Sequence, residues 1–234
     1  MYSRILLKLS GEQLAGSNEY GFDTHFATWL AKEIKPVTTS GTQVVIMVGG
    51  GNIVRGASIA GDKIKRVTAD HMGMLATMIN AIALTDVFEE INLPTRCLSN
   101  IYAEQVAEPF VYRLAEKHLA NGRVVIIGGG NGTPYVTTDT AAILMALELD
   151  CQVVLKATKV NGVYDQDPSL YTKAQKLDHI SYQKAVEDGF IRVMDKAALG
   201  LAMDYRMPII VFNCLEQGNI MRCVKGEKVG TTIG

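Results

Sequence analysis

The chain has 234 residues, 23 Lys plus Arg against 24 Asp plus Glu for a net charge of −1, and 48% hydrophobic side chains. It is too apolar for a disordered chain and too nearly neutral for a general nucleic-acid binder, so one large globular domain or two small ones is expected. The longest uninterrupted apolar run, Ala141 to Leu147, is far short of the ~20 residues a membrane helix needs. The opening Met1 to Leu7 lacks the length and cleavage site of a signal peptide, which makes a cytoplasmic location the expectation.

In chain order, Ile5–Leu9 reads as a strand and Val44–Val48 as a second. Thr95–Ser99, Val124–Ile127, Val153–Leu155 and Ile209–Phe212 complete the set. Near-continuous apolarity marks strands covered on both faces, as in a parallel sheet. Between them, Asp23 can cap a helix carrying Phe26, Leu30, Ile34 and Val37 on one face, with Pro36 expected to kink or end it. From Ala69 to Ile91 the pattern is helical, with Met72, Leu75, Ile79 and Ile82 on one stripe and Met74, Met78 and Ala81 on another. A helix so apolar around its girth is expected to be buried both by the sheet and by a second subunit. Glu108–Ala120, Asp139–Leu149, Tyr182–Asp188 and Asp195–Tyr205 are further helices. The alternation implies a three-layer α/β/α sandwich with a mainly parallel sheet. With no repeat or linker, residues 1–234 read as a single domain, the segment after Val160 being free to form a lobe of its own.

In such sheets ligands sit beyond the carboxyl ends of the strands, and the glycines fall there. The first strand ends in Lys8-Leu9-Ser10-Gly11, and the second runs into Gly49-Gly50-Gly51-Asn52 with Arg55-Gly56. The fourth runs into Gly128-Gly129-Gly130-Asn131-Gly132-Thr133, followed by Thr137-Thr138-Asp139 at a helix start. One such loop is as readily a turn as a site. Three at one sheet edge, with Lys8 and Arg55 to neutralise charge, point to a polyanionic ligand. No P-loop, dinucleotide fingerprint or nucleophile elbow is present. The four histidines show no metal-ligand spacing and no protein metal site is expected. Cys97, Cys151, Cys214 and Cys223 make no Cys-x-x-Cys pair and read as buried thiols.

These elements resemble the bacterial UMP kinases of the amino-acid kinase superfamily. The resemblance rests on Lys8 to Glu12, Gly49 to Asn52 with Arg55-Gly56, and Asp70-His71-Met72-Gly73-Met74-Leu75-Ala76-Thr77. Thr137-Thr138-Asp139, Leu155 to Tyr164 with Asp167-Pro168, Val193-Met194-Asp195, and Pro208-Ile209 with Val211 to Asn213 extend it over nearly the whole chain. It implies transfer of the γ-phosphoryl of ATP, with Mg²⁺, to UMP in pyrimidine nucleotide synthesis, by a cytoplasmic homohexamer. The acceptor part would be roughly residues 1–150 and the ATP part roughly 151–234. By that resemblance Lys8, Leu9 and the N–H groups of Ser10 and Gly11 hold the ATP phosphates, and Gly51 and Arg55 face the transferring group. Thr158, Asn161, Tyr164 and Asp167 line the adenosine pocket, where Tyr164 is either a stacking platform or a packing residue. Gly50 and the stretch Asn131, Gly132, Thr133, Pro134, Tyr135, Val136, Thr137 and Thr138 cradle UMP, the two threonines donating at the helix start. Asp70 accepts a ribose hydroxyl. Asp195 either caps its helix or orients Lys8 as a catalytic carboxylate, and Asp139 carries the same ambiguity.

Some residues depart from the family pattern. Asn131 to Val136 stands where Thr-Gly-Asn-Pro-Phe-Phe is common, which alters uracil packing and leaves phosphate binding intact. Gln152 stands where an acidic residue is common. Activation by GTP in the family uses a segment matched by Gly16 to Gly21 and basic residues on the central helix. Here no Arg or Lys occurs from Met72 to Leu93, while Asp86, Glu89 and Glu90 do, so weak or absent activation is expected, with Arg96 and Arg123 as the remaining contacts. The alternatives are a superfamily kinase with a carboxylate or carbamate acceptor, which Asp70 disfavours; a metal-oxide storage protein; and a nucleotide-binding regulatory subunit.

Overall fold

The structure, a computed structural model, describes residues 1–54, 59, 61, 63–166, 170–171, 173–187 and 193–234. In chain order the elements are β1 (Arg4–Leu9), α1 (Gly11–Leu14), α2 (Thr24–Thr39), β2 (Gln43–Val48), α3 (Arg66–Glu90), β3 (Thr95–Ser99), β4 (Glu108–Pro109), α4 (Tyr112–Ala120) and β5 (Val124–Gly128). There follow α5 (Thr138–Glu148), β6 (Val154–Thr158), β7 (Val163–Tyr164), β8 (Lys176–Leu177), β9 (His179–Ile180), α6 (Tyr182–Glu187), α7 (Lys196–Tyr205), β10 (Ile209–Asn213), α8 (Asn219–Val224) and β11 (Thr231–Ile233). Nine strands form one sheet in the order β4-β3-β5-β2-β1-β6-β10-β11-β9, parallel throughout except where β11 runs against β10. β7 and β8 make a separate antiparallel pair.

Alternate residues of each central strand serve opposite cores, because successive side chains of a strand point to opposite faces. Ile5, Leu7, Leu9, Val44 and Ile46 pack with α2, α3 and α8 through Leu30, Ile34, Leu84, Phe88 and Ile220. Leu6, Val45, Met47 and Val125 pack instead with α4, α5 and α7 through Leu119, Ala142, Ile143 and Leu199. The sandwich expected from the sequence is therefore present, and the four cysteines are buried free thiols.

The boundaries differ in instructive places. Asp23 caps α2, accepting from the N–H groups of His25 and Phe26, but Pro36 does not end that helix. It falls in the last turn, where the chain continues to Thr39 and the Thr38 and Thr39 hydroxyls close onto the Lys35 carbonyl. The expected helix from Glu108 begins only at Tyr112. Glu108 and Pro109 instead pair with Leu98 and Ser99 at the sheet edge, and Phe110 N–H donates to the Ser99 carbonyl at 2.8 Å. Proline disfavours helix at the residue before it and lacks a ladder donor, so an edge strand is where it fits.

In α3 the two apolar stripes separate. Met74, Met78 and Ala81 are buried, whereas Leu75 and Ile79 are 55% and 52% exposed, with Met72 and Ile82 beside them. By length and composition this 25-residue helix could cross a bilayer. One side of it nevertheless packs on β3 and β5, and Asn80 at its middle is wholly buried among polar partners.

Candidate functional site

The carboxyl ends of β1, β2, β5 and β6 open at one edge of the sheet, and β1 lies between the β2–β5 side and the β6–β10 side. The turns there are in backbone contact. A Cβ on Gly11 would stand 2.4 Å from the Gly51 nitrogen, and one on Gly50 would stand 2.8 Å from Ala76 Cβ and 2.9 Å from the Gly73 carbonyl. Only glycine allows the β1–α1 turn, the Gly49–Gly51 loop and α3 to stack so closely.

At the centre are two lysines sharing a carboxylate. Lys8 and Lys156 are register partners on β1 and β6, so their side chains leave the same face. Asp139, in the first turn of α5, meets Lys156 Nζ at 2.7 Å through Oδ2. Its Oδ1 meets Lys8 Nζ at 2.5 Å as an ion pair without hydrogen-bond alignment. Lys156 also donates to the Val193 carbonyl. All three side chains are largely buried. Burial alone would raise the Asp139 pKa, but Lys8 and then Lys156 hold it below the usual carboxylate value. Lys156 is pushed down from the usual lysine value by burial foremost and by Lys8 as well, against the upward pull of Asp139.

Asp195 caps α7 as expected, accepting from Ala198 N–H at 3.0 Å. The hydrogen bonds described for its carboxylate do not reach Lys8, which meets Asp139. The Asp195 carboxylate receives the hydroxyls of Thr140, at 2.8 Å, and Thr137, tying the start of α7 to the start of α5. Thr137 caps α5, accepting from the N–H groups of Asp139 and Thr140 while giving its proton to Asp195. In this arrangement the Thr137 hydroxyl proton goes to Asp195, and Thr138 is the other threonine at that helix start. Ser10 N–H is likewise taken, by Gln13 Oε1 at 2.9 Å, and the Leu9 side chain is turned into the core.

On the β5 side, Asp70 and the loop from Asn131 to Val136 are brought together. Asp70 accepts Tyr135 N–H at 2.9 Å and Arg66 Nε at 2.8 and 2.9 Å on its two oxygens. The Arg66 guanidinium lies 5.4 Å from the Tyr135 ring centroid, a cation–π distance. Asn100 supports the loop from below, donating to the Gly130 carbonyl at 2.6 Å. On the β6 side, Asn161 and Tyr164 line a cavity of about 360 Å³ with Asn213, Glu216, Arg222 and Gly230. Thr158, the last residue of β6, donates its hydroxyl to the Phe212 carbonyl at 2.9 Å and is not part of that lining. Arg55 and Asp167 lie outside the described residues.

Reading the chain for motifs missed the partnership of Lys156 with Asp139, and with it Arg66 and Asn100. The one available signal was a lysine interrupting the apolar run Val153 to Ala157, the same kind of break that Lys8 makes in β1. Among the described residues no cluster of three His, Cys, Asp or Glu could hold a metal ion.

Residues 3–213 match the model of the amino acid kinase family. The uridylate kinase of Aliarcobacter butzleri (strain RM4018) is 50% identical over 228 residues, 97% of each chain. That of Campylobacter fetus subsp. fetus (strain 82-40) is 48% identical over 231 residues, 98% of this chain and 97% of its own. The UMP kinase of Bacillus anthracis superposes with a TM-score of 0.94 at 40% identity, covering 100% of this chain and 96% of its own. The aspartate kinase of Synechocystis, at 20% identity and a TM-score of 0.72 over 98% of this chain and 39% of its own, speaks for the fold alone.

Proposed function

Since the chain belongs to the amino acid kinase family, alongside the uridylate kinases it matches over nearly its full length, we propose that it is a UMP kinase. In this reading it moves the γ-phosphoryl of ATP, delivered as the Mg²⁺ complex, onto UMP and releases UDP and ADP, a step toward the pyrimidine nucleotides. The observation that carries the reading is the cluster of Lys8 on β1, Lys156 on β6 and Asp139 at the start of α5, between the Asp70–Tyr135 loop and the cavity at Asn161 and Tyr164.

The UMP phosphate oxygen is already anionic, so the reaction needs no general base. It needs two phosphates held in line and the charge of the transferring group neutralised. Lys8 supplies that charge, with Lys156 behind it and Arg55 as the third cation expected from the sequence. Asp139 fixes both ammonium groups before the nucleotides arrive, so little reorganisation is left for the reaction itself. With Asp139 already neutralised and no acidic cluster among the described residues, the chain is suited to a Mg²⁺ carried by the ATP phosphates.

Asp195 acts as a positioning residue here. Its clamp on Thr137 and Thr140 sets the first turn of α5, from which Thr138 and the loop Asn131, Gly132, Thr133, Pro134 and Val136 face the UMP phosphate and base. A carboxylate has about four acceptor positions. Arg66 and the Tyr135 amide occupy three on Asp70, which leaves one for a ribose hydroxyl. On the donor side, Gly11 and Gly51 meet the ATP phosphates and Thr158, Asn161 and Tyr164 the nucleoside. The exposed Met72, Leu75, Ile79 and Ile82 stripe fits self-association, proposed as a homohexamer.

The test is Mg²⁺-dependent ADP release from ATP with UMP, CMP, dUMP, acetylglutamate or aspartate as acceptor. Release with UMP, abolished in Lys8→Ala, is the expected result. No release with UMP, or release with an amino-acid acceptor instead, overturns the proposal.

A further inference from the structure

Two glycine-rich loops hang from one polar face of α3. Thr77 Oγ1 accepts Gly129 N–H at 2.8 Å, while its own proton goes to the Met74 carbonyl at 2.7 Å. Asn80, three residues on and so on the same face, donates to the Gly49 carbonyl at 2.7 Å. It also exchanges hydrogen bonds with Asn52, giving one at 2.7 Å and receiving one at 2.9 Å. The second proton of the Asn52 amide goes to the Gly21 carbonyl at 2.7 Å. Thr77, Asn80 and Asn52 are all buried. Every amide proton of the two asparagines is used, so the network has one arrangement.

Hydrophobic side chains at positions 77 and 80 would pack against the sheet as Met74, Met78 and Ala81 do. Buried polar groups that are fully satisfied specify geometry instead, because any displacement strands a donor or acceptor in a low-dielectric interior. What these groups hold is the carbonyl that enters the Gly49–Gly51 loop and the amide that begins the turn after β5. Gly50 meanwhile lies against the α3 backbone at Gly73 and Thr77 with no room for a Cβ.

We propose that Thr77 and Asn80 are positioning residues that set the separation of the two phosphate loops from a single rigid helix. Thr77 places the Gly128–Thr133 turn for the acceptor phosphate, and Asn80 places the Gly49–Gly51 loop, in which Gly51 faces the transferring group and Gly50 lies on the UMP side. The proposal rests on the UMP kinase reading for which ligand each loop meets.

The two residues should give separable kinetic signatures, since an ångström of misplacement costs up to ~10²-fold in rate. Thr77→Val, isosteric but without the acceptor, should raise KM for UMP about tenfold with KM for ATP little changed, and Thr77→Ser should restore it. Asn80→Asp should lower kcat about tenfold or more, the carboxylate having no donor for Gly49. Thr85→Val, on the same helix with its hydroxyl bonded to the Ala81 carbonyl, should leave kcat and both KM values unchanged. Should Asn80→Asp fail to fold, Asn52→Ser, which takes away the partner that fixes the Asn80 amide against Gly49, must show the same fall in kcat in weaker form. Variants that lose Tm while keeping kcat and both KM values overturn the proposal, as does a Thr77→Ser no better than Thr77→Val. If wild type transfers nothing to UMP, that reading fails by itself. Calorimetry then decides the present one: Thr77→Val must weaken UMP binding and Thr77→Ser must not.

Discussion

Removing one member of a buried ion cluster strands the others, and Asp139 is the member on which both neighbours depend. Asp139→Asn leaves Lys8 and Lys156 as buried like charges and should cost about 3–5 kcal/mol of stability, with kcat falling as the ammonium groups lose their fixed positions. Denaturant titration and steady-state kinetics measure the two effects. The pH dependence follows from the direction of the Asp139 shift. Its pKa is lower folded than unfolded, so its contribution is complete above the ordinary carboxylate value and is lost as pH falls through the depressed one. Acid unfolding of the wild type should include that loss, and Asp139→Asn should lack it. Asp195 serves a separate purpose. Its oxygens face Thr137, Thr140 and the Ala198 amide, and none of the interactions described for it reaches Lys8.

Among the elements, α3 anchors two loops of the site from its buried face while it packs on β3 and β5. Gly50→Ala tests the closeness of that stacking. The added methyl would meet Ala76 Cβ and the Gly73 carbonyl at under 3 Å, forcing the Gly49–Gly51 loop off the helix. A stability loss of about 1–3 kcal/mol is expected, with kcat falling further than this alone implies, measured by thermal unfolding and ADP release. At the sheet edge β4 behaves differently. Two residues long and containing Pro109, it adds little pairing of its own, and the Phe110 amide completes it.

At the scale of the whole molecule, the exposed α3 stripe and the regulatory reading can both be tested. If the proposed homohexamer forms through this stripe, Leu75→Glu with Ile79→Glu should give smaller species than wild type in sedimentation experiments, since charges there resist desolvation in a subunit contact. A pair of variants that leaves the assembly mass unchanged places the contact elsewhere. GTP at subsaturating ATP should not raise the rate. Arg96 is engaged by Glu89 at 2.5 Å and Arg123 by His118 at 3.0 Å, so the two remaining basic contacts are already partnered within the chain. A several-fold activation would refute this.

The layers of the sandwich, the six principal strands, the sheet edge at which glycines gather, and the caps at Asp23 and Asp195 were all legible in the residue pattern. Each of these is local information: apolar runs, a helical period, a side chain two or three residues from the amide it satisfies. Tertiary structure alone decided which carboxylate meets Lys8, that Thr137 spends its proton on Asp195, and that Thr77 and Asn80 serve loops rather than core. The short strands β7, β8, β9 and β11 belong with these, being too brief to carry a pattern. Such partners lie up to well over a hundred residues apart. They meet only because strand register puts Lys8 beside Lys156, and because the docking of α5 on α7 and of α3 on β5 brings their partners within hydrogen-bond reach.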